Sequence, residues 1–149
     1  MKKKQVGNVL FLGIGAALSA ILFLLMLAPG VKETLLIGTV NYSCYELINL
    51  YDSARVGLII ALILDITTLA LSVCLLMVNL LKTKIKYEKS VALIAAAAAI
   101  VSAILHFLSK QLIGAGDSGI ITLGVGAIFC GIALIIAAVC FLFYALSKK

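Results

Sequence analysis

An acid, an imidazole and a few hydroxyl and amide side chains carry the chemistry this sequence has to offer. Asp65 interrupts the aliphatic run LIIALILDITTLAL at positions 58–71, and His106 is the single histidine of the chain. Together a carboxylate and an imidazole can pass a proton, because imidazole changes charge near neutral pH, or they can simply hydrogen-bond. Asp65, Ser72 and Asn79 recur every seven residues, with Ala61 and Thr68 on the same flank. At 3.6 residues per turn they form one polar stripe on an otherwise Leu/Ile/Val helix. A charge facing lipid near the bilayer centre costs about 2.5–3.5 kcal/mol, so the stripe is expected to face inward. Ala95, Ala98, Ser102 and His106 likewise share a helical face, weakly marked because Ala95 to Ala99 is an unbroken alanine run.

The elements that must position these groups are membrane spans. Of 149 residues, 64% are hydrophobic and 12% charged, about half the charge of an average soluble domain. Four runs are long and apolar enough to cross a bilayer as helices, about 6–28, 56–81, 91–109 and 120–146. The expected fold is an all-α membrane protein, a single integral membrane domain over 1–149 built as an up-down bundle of four transmembrane helices. The connection 29–55 is the long one, and its stretch TLLIGTVNY, rich in β-branched and apolar residues, predicts a strand or short hairpin. Its Tyr42, Tyr45 and Tyr51 have the amphipathic character of interface residues.

Charge gives the orientation. The net charge is +6, and nine of the twelve cations (Lys2, Lys3, Lys4, Lys82, Lys84, Lys86, Lys89, Lys148 and Lys149) fall on one side of a four-span bundle. The positive-inside rule makes that side cytoplasmic, with both termini there. The same distribution reads as topology signals beside lipid headgroups and argues against a nucleic-acid partner. MKKK resembles the start of a signal peptide, but the apolar part is too long and Pro29 would spoil cleavage after Ala28, so a retained first span is expected.

Spans 2 and 3 share a short connection and should be antiparallel neighbours. Asp65 then lies roughly 5 Å and His106 roughly 9 Å from their midplanes, both towards the exoplasmic side. An Asp65–His106 contact between the two helices is the expectation. It is either a titrating pair for proton-coupled transport or an interhelical hydrogen bond worth about 1 kcal/mol. One carboxylate and one imidazole, with no charged relay towards the cytoplasm, favour the structural role. Small residues four apart (Gly13/Ala17, Gly15/Ser19, Ala127/Gly131 and Ala133/Ala137) predict close helix contacts.

Other chemistry is sparse. No H-E-x-x-H, G-x-S-x-G or Walker pattern occurs, and one histidine cannot build a multi-histidine metal site, so neither enzyme activity nor a metal or cofactor is expected. Cys74, Cys130 and Cys140 fall inside spans as small hydrophobes, and only Cys44 lies in an exoplasmic loop. Without a C-x-x-C, thiol–disulfide chemistry has little support, an intermolecular bridge through Cys44 being the one alternative. Asn41-Tyr42-Ser43 fits a glycosylation acceptor, which matters only in a eukaryotic secretory pathway. The second outer connection, 110–119, reads as a Gly-rich turn without a phosphate-loop pattern.

Cys44 followed by Tyr51-Asp52-Ser53-Ala54-Arg55 just before span 2, in a long first loop with strand character, resembles the tetraspan proteins of the claudin and peripheral-myelin-protein type. The resemblance matches Arg55 to the arginine at the family's span boundary and Cys44 to a loop cysteine. The chain has no tryptophan, so the Gly-Leu-Trp signature is missing, as is a second loop cysteine. The resemblance implies a non-enzymatic adhesion, barrier or membrane-organising role. The expected function is a non-catalytic scaffold, adhesion or accessory subunit in a lipid bilayer, with a membrane-protein partner or as a homo-oligomer. The alternative is a small transporter or channel subunit using Asp65 and His106.

Overall fold

The computed structural model describes residues 3–35, 37–82, 86–113 and 120–147. Lys2, Lys84, most of the Gly-rich turn with Asp117, and the terminal Lys148 and Lys149 lie outside them. The elements run α1 (Lys3–Leu25), β1 (Pro29–Leu35), β2 (Gly38–Ser43), α2 (Cys44–Leu50), α3 (Asp52–Leu80), α4 (Glu88–Phe107), α5 (Ser109–Leu112), β3 (Ile121–Leu123) and α6 (Val125–Ser147). Four of these helices, α1, α3, α4 and α6, are long and apolar enough to cross a membrane. The fold is mostly helical rather than all-α, because a three-stranded sheet joins it in the order β2-β1-β3.

Two span boundaries move because of the sheet. The first helix ends at Leu25 and not at 28, its last turn tightening through Leu27 N→Leu24 O (3.1 Å) and Ala28 N→Leu25 O (3.0 Å). Pro29 has no N–H to continue a helix and opens β1 instead. The fourth helix starts at Val125 and not at 120, because Ile121–Leu123 pairs with Val31, Lys32 and Glu33 of β1. The apolar β-branched residues there serve a strand as well as a span, and β1 had an open edge to fill.

The β1–β2 hairpin runs from Pro29↔Ser43 to Leu35↔Gly38, with Gly38 at φ +151° where the chain reverses. Ser43 then starts α2 as a capping box: its hydroxyl accepts from Glu46 N (3.2 Å), and the Glu46 carboxylate accepts from Ser43 N (2.7 Å). These two bonds hold the Glu46 carboxyl below its usual range. At the far end of α2, Arg55 Nε donates to Ile48 O (3.1 Å) while its guanidinium pairs with Asp52 (2.9 Å). A cation there satisfies carbonyls the helix leaves open. Sheet, α2, α5 and the start of α3 enclose a small core of Val31, Leu47, Leu58 and Ile113, which forms a cap on one end of the bundle.

The main core lies between the helices, which contact in the cyclic order α1, α3, α4, α6. Ala92, Ala95, Ala96, Ala99 and Ala103 are all buried on α4. The alanine run therefore serves two neighbours at once: a thin helix lets both α3 and α6 approach closely, and close packing drives association in lipid. Gly15 lies under the Phe141 ring and Gly131 under Phe107, so a side chain at either would collide. Gly15/Ser19, Ala127/Gly131 and Ala133/Ala137 mark contact faces. Gly13/Ala17 does not, since Ala17 is exposed and nothing approaches Gly13 within 4 Å.

Candidate functional site

The α3 positions Leu58, Ala61, Asp65, Thr68, Ser72 and Leu75 are all buried, a three-then-four spacing that makes one inward-facing seam of the helix. Asp65 is 1% exposed, and its partners come from α4. Ser102 Oγ donates to Asp65 Oδ1 at 2.5 Å and lies 3.3 Å from the Ala61 carbonyl. His106 Nε2 is 3.0 Å from Asp65 Oδ2. Ser102 and His106, four residues apart on one α4 face, thus engage both oxygens of one carboxylate. A carboxylate in lipid needs such partners, since each group left unsatisfied costs several kcal/mol.

The rest of the stripe does not join this cluster. Thr68 and Ser72 are buried but turn back on their own helix, to Leu64 O (2.8 Å) and Leu69 O (2.7 Å). Asn79, one end of the stripe, belongs to a second network near the opposite bundle end. Its amide donates to Leu75 O (2.9 Å) and to Tyr144 Oη (2.6 Å), and Tyr144 donates to Glu88 (3.1 Å). Tyr144 and Glu88 carry no periodic signal in the sequence. The clue was a phenol in an otherwise apolar fourth span, since a buried Tyr hydroxyl needs a partner. Tyr144→Phe is expected to lower bundle stability by about 1 kcal/mol, measured by unfolding in mixed micelles; a loss below half of that would mean the network is decorative.

Cys44 lies in the connection 29–55, and the structure adds its burial. It is fully buried at the start of α2, with its N–H donating to Met26 O (3.1 Å) and its sulfur packed on Gly30. Its thiol meets Cys130 of α6 and the His106 ring. Hydrogen bonding from Cys130, with the charge of the neighbouring imidazole, holds the Cys44 thiol below the ordinary thiol range against the opposing effect of burial. Cys74, by contrast, is exposed on the outer face of α3. The cluster is therefore Asp65, Ser102, His106, Cys44 and Cys130, drawn from α2, α3, α4 and α6. Among the described residues two buried polar atoms have no hydrogen-bond partner: His106 Nδ1, within this cluster, and Ser109 Oγ, at the start of α5. Among the described residues no three His, Cys, Asp or Glu side chains are placed to hold one metal ion. Arg55 stands apart at the cap surface, where it braces α2. Comparisons of the chain with protein-family models, with curated proteins and with solved structures find no match, so the functional reading rests on this geometry.

Proposed function

We propose that this chain is a non-catalytic four-span integral membrane protein, a scaffold, adhesion or accessory subunit that acts through helix packing and the cap formed by its loops. The observation carrying this reading is the apolar tip of the cap. Leu35, Val40 and Ile120 are exposed and Ile37 is 98% exposed, beside a groove of about 620 Å³ lined by Thr34, Leu35, Ile37 and Ile120. Lipid accounts for apolar side chains along the outside of the four helices. It does not account for those on a sheet beyond the helix ends, where backbone must be hydrated or covered.

The occupant that fits is a membrane-protein partner presenting an apolar surface at that height. The distribution of lysines supports an orientation with the cap outside and both termini in the cytoplasm. The resemblance to claudin and peripheral-myelin-type tetraspans points to the same kind of role. The largely self-satisfied polar interior supports it too, because no charged relay leads from Asp65 to the Asn79 network among the described residues. Ile37→Asp is expected to cut the recovery of a copurifying membrane protein in mild detergent by about tenfold or more, as loss of an apolar anchor worth about 2 kcal/mol predicts. Bundle stability should not change. A partner retained by the variant would sink the reading, and loss of a self-complex instead would identify the partner as a second copy.

A second reading, a small transporter or channel subunit, is favoured by the buried, unpartnered His106 Nδ1. Proton uptake into proteoliposomes that is lost in a stably packed Asp65→Asn variant would establish it over the first.

A further inference from the structure

Two cysteines from distant parts of the chain meet against an imidazole that is itself held by a carboxylate. Cys44 comes from the start of α2 in the cap and Cys130 from the second turn of α6, and both belong to the main buried core. They are anchored from both sides: Cys44 N–H bonds Met26 O at 3.1 Å, and Cys130 Sγ lies 3.9 Å from Leu22 O. Asp65 fixes the His106 ring through Nε2, leaving Nδ1 free for a further contact. A carboxylate, an imidazole and a thiol in that order form the constellation that activates a thiol nucleophile. The titratable groups facing the thiol are Asp65 from α3, His106 from α4, Cys130 from α6 and Tyr45 from α2.

We propose that Cys44 and Cys130 are a redox-active dithiol that a hydroperoxide closes to an intramolecular disulfide, with the Asp65–His106 pair holding and delivering the proton. The reactant must be small, because neither thiol has exposed surface and a protein disulfide cannot reach them. It must also be polar, because the imidazole set against the thiols leaves its buried Nδ1 without a hydrogen-bond partner. A hydroperoxide meets both requirements.

The chemistry balances. The Cys44 thiol gives its proton to His106, and the thiolate attacks the terminal oxygen of R–O–O–H. The O–O bond breaks, a sulfenic acid forms on Cys44, and the alkoxide leaves with the proton held by His106. Cys130 sulfur then attacks Cys44 sulfur, the S–O bond breaks, and the departing hydroxide takes the Cys130 proton. Two thiols and one hydroperoxide yield one disulfide, one alcohol and one water; sulfur is oxidised by two electrons and the peroxide reduced by two. A thiol held low, as Cys44 is, stays reactive at pH values where an ordinary thiol has become protonated.

The test uses the full chain in mild detergent, treated with hydrogen peroxide, blocked with a maleimide and digested for mass spectrometry. The expected product is one Cys44–Cys130 linked peptide, lighter by two hydrogens, from a monomeric chain. In Cys130→Ser the reaction should stop at a Cys44 sulfenic acid that dimedone traps. In His106→Asn the rate should fall by about tenfold or more, as loss of general acid–base assistance predicts, and its pH profile should shift upward. The proposal is overturned if the folded wild-type chain forms no Cys44–Cys130 link, or if peroxide couples separate chains or favours Cys74 and Cys140. An unchanged rate and pH profile in His106→Asn would overturn the role given to the imidazole.

Discussion

Replacing Asp65 with alanine is expected to destabilise the bundle by about 2–6 kcal/mol, read by equilibrium unfolding in mixed micelles. The estimate has two parts. Interhelical hydrogen bonds in membranes average about 0.6 kcal/mol and reach about 1.7, so the bonds to Ser102 and His106 together contribute about 1–3 kcal/mol. The variant also strands polar groups with no water to receive them, at about 1–3 kcal/mol for a badly placed one. His106 is the worst placed, because Nδ1 already lacks a partner and Nε2 would lose its own. Asp65→Asn keeps an oxygen for Ser102 and offers an amide to an unprotonated Nε2, so it should cost about 1 kcal/mol. Asp65→Leu combined with His106→Leu should recover most of the loss, since apolar replacements of a buried pair are often neutral. If the alanine variant lost less than about 0.5 kcal/mol, the pair would not be pinning α3 to α4.

Gly124→Ala is expected to do comparable or greater damage, through backbone rather than side chains. A Cβ at Gly124 would collide with the Pro29 carbonyl oxygen, and would lie only 2.6 Å from Pro29 C and 2.8 Å from Gly30 C. No rotamer relieves such a contact, because every atom in it is main chain. The same approach carries the Gly124 N–H to Gly30 O bond of 2.8 Å, which ties the start of α6 to β1. Overpacking a core costs about 1–3 kcal/mol, and a collision with fixed backbone belongs at or above the upper end. Gly13→Ala supplies the control: nothing lies within 4 Å, so it should be neutral or stabilising by up to about 1 kcal/mol from helix propensity alone. A Gly124 variant as stable as the Gly13 variant would disprove the close approach.

How far the site was legible depended on whether its parts shared a local period. Asp65, Ser102 and His106 could be brought together on paper because each lies on a repeating helical face, and because a short connection makes spans 2 and 3 neighbours. Cys44 and Cys130 share no period and no motif; only the docking of α2 beneath β1 brings them into contact. Ser43 and Glu46 fit the S-x-x-E capping pattern, a local signal for α2 that sits beside the strand-like stretch of the same loop. The strand at Ile121–Leu123 was hidden by its composition. Hydropathy treats an apolar strand and an apolar helix end alike, and the deciding partner, β1, lies far back in the chain. Gly13/Ala17 and Gly15/Ser19 have identical spacing, and only the position of Phe141 separates the pair in contact from the pair on the outer face.

The pairing of β3 with β1 also sets an order of assembly. The β1–β2 hairpin and the capping box of α2 involve neighbours in the chain and can form as soon as that segment is outside the membrane. The third strand becomes available only after α3 and α4 have both been threaded across. Until then β1 presents an open edge, and the Pro29–Gly30 backbone lacks the start of α6 that packs on it. The sheet therefore closes only on a chain whose intervening helices have crossed in the right sense. In the finished protein it records completed insertion, and a nascent chain with one span misthreaded would leave the Val31–Glu33 edge open to other strands.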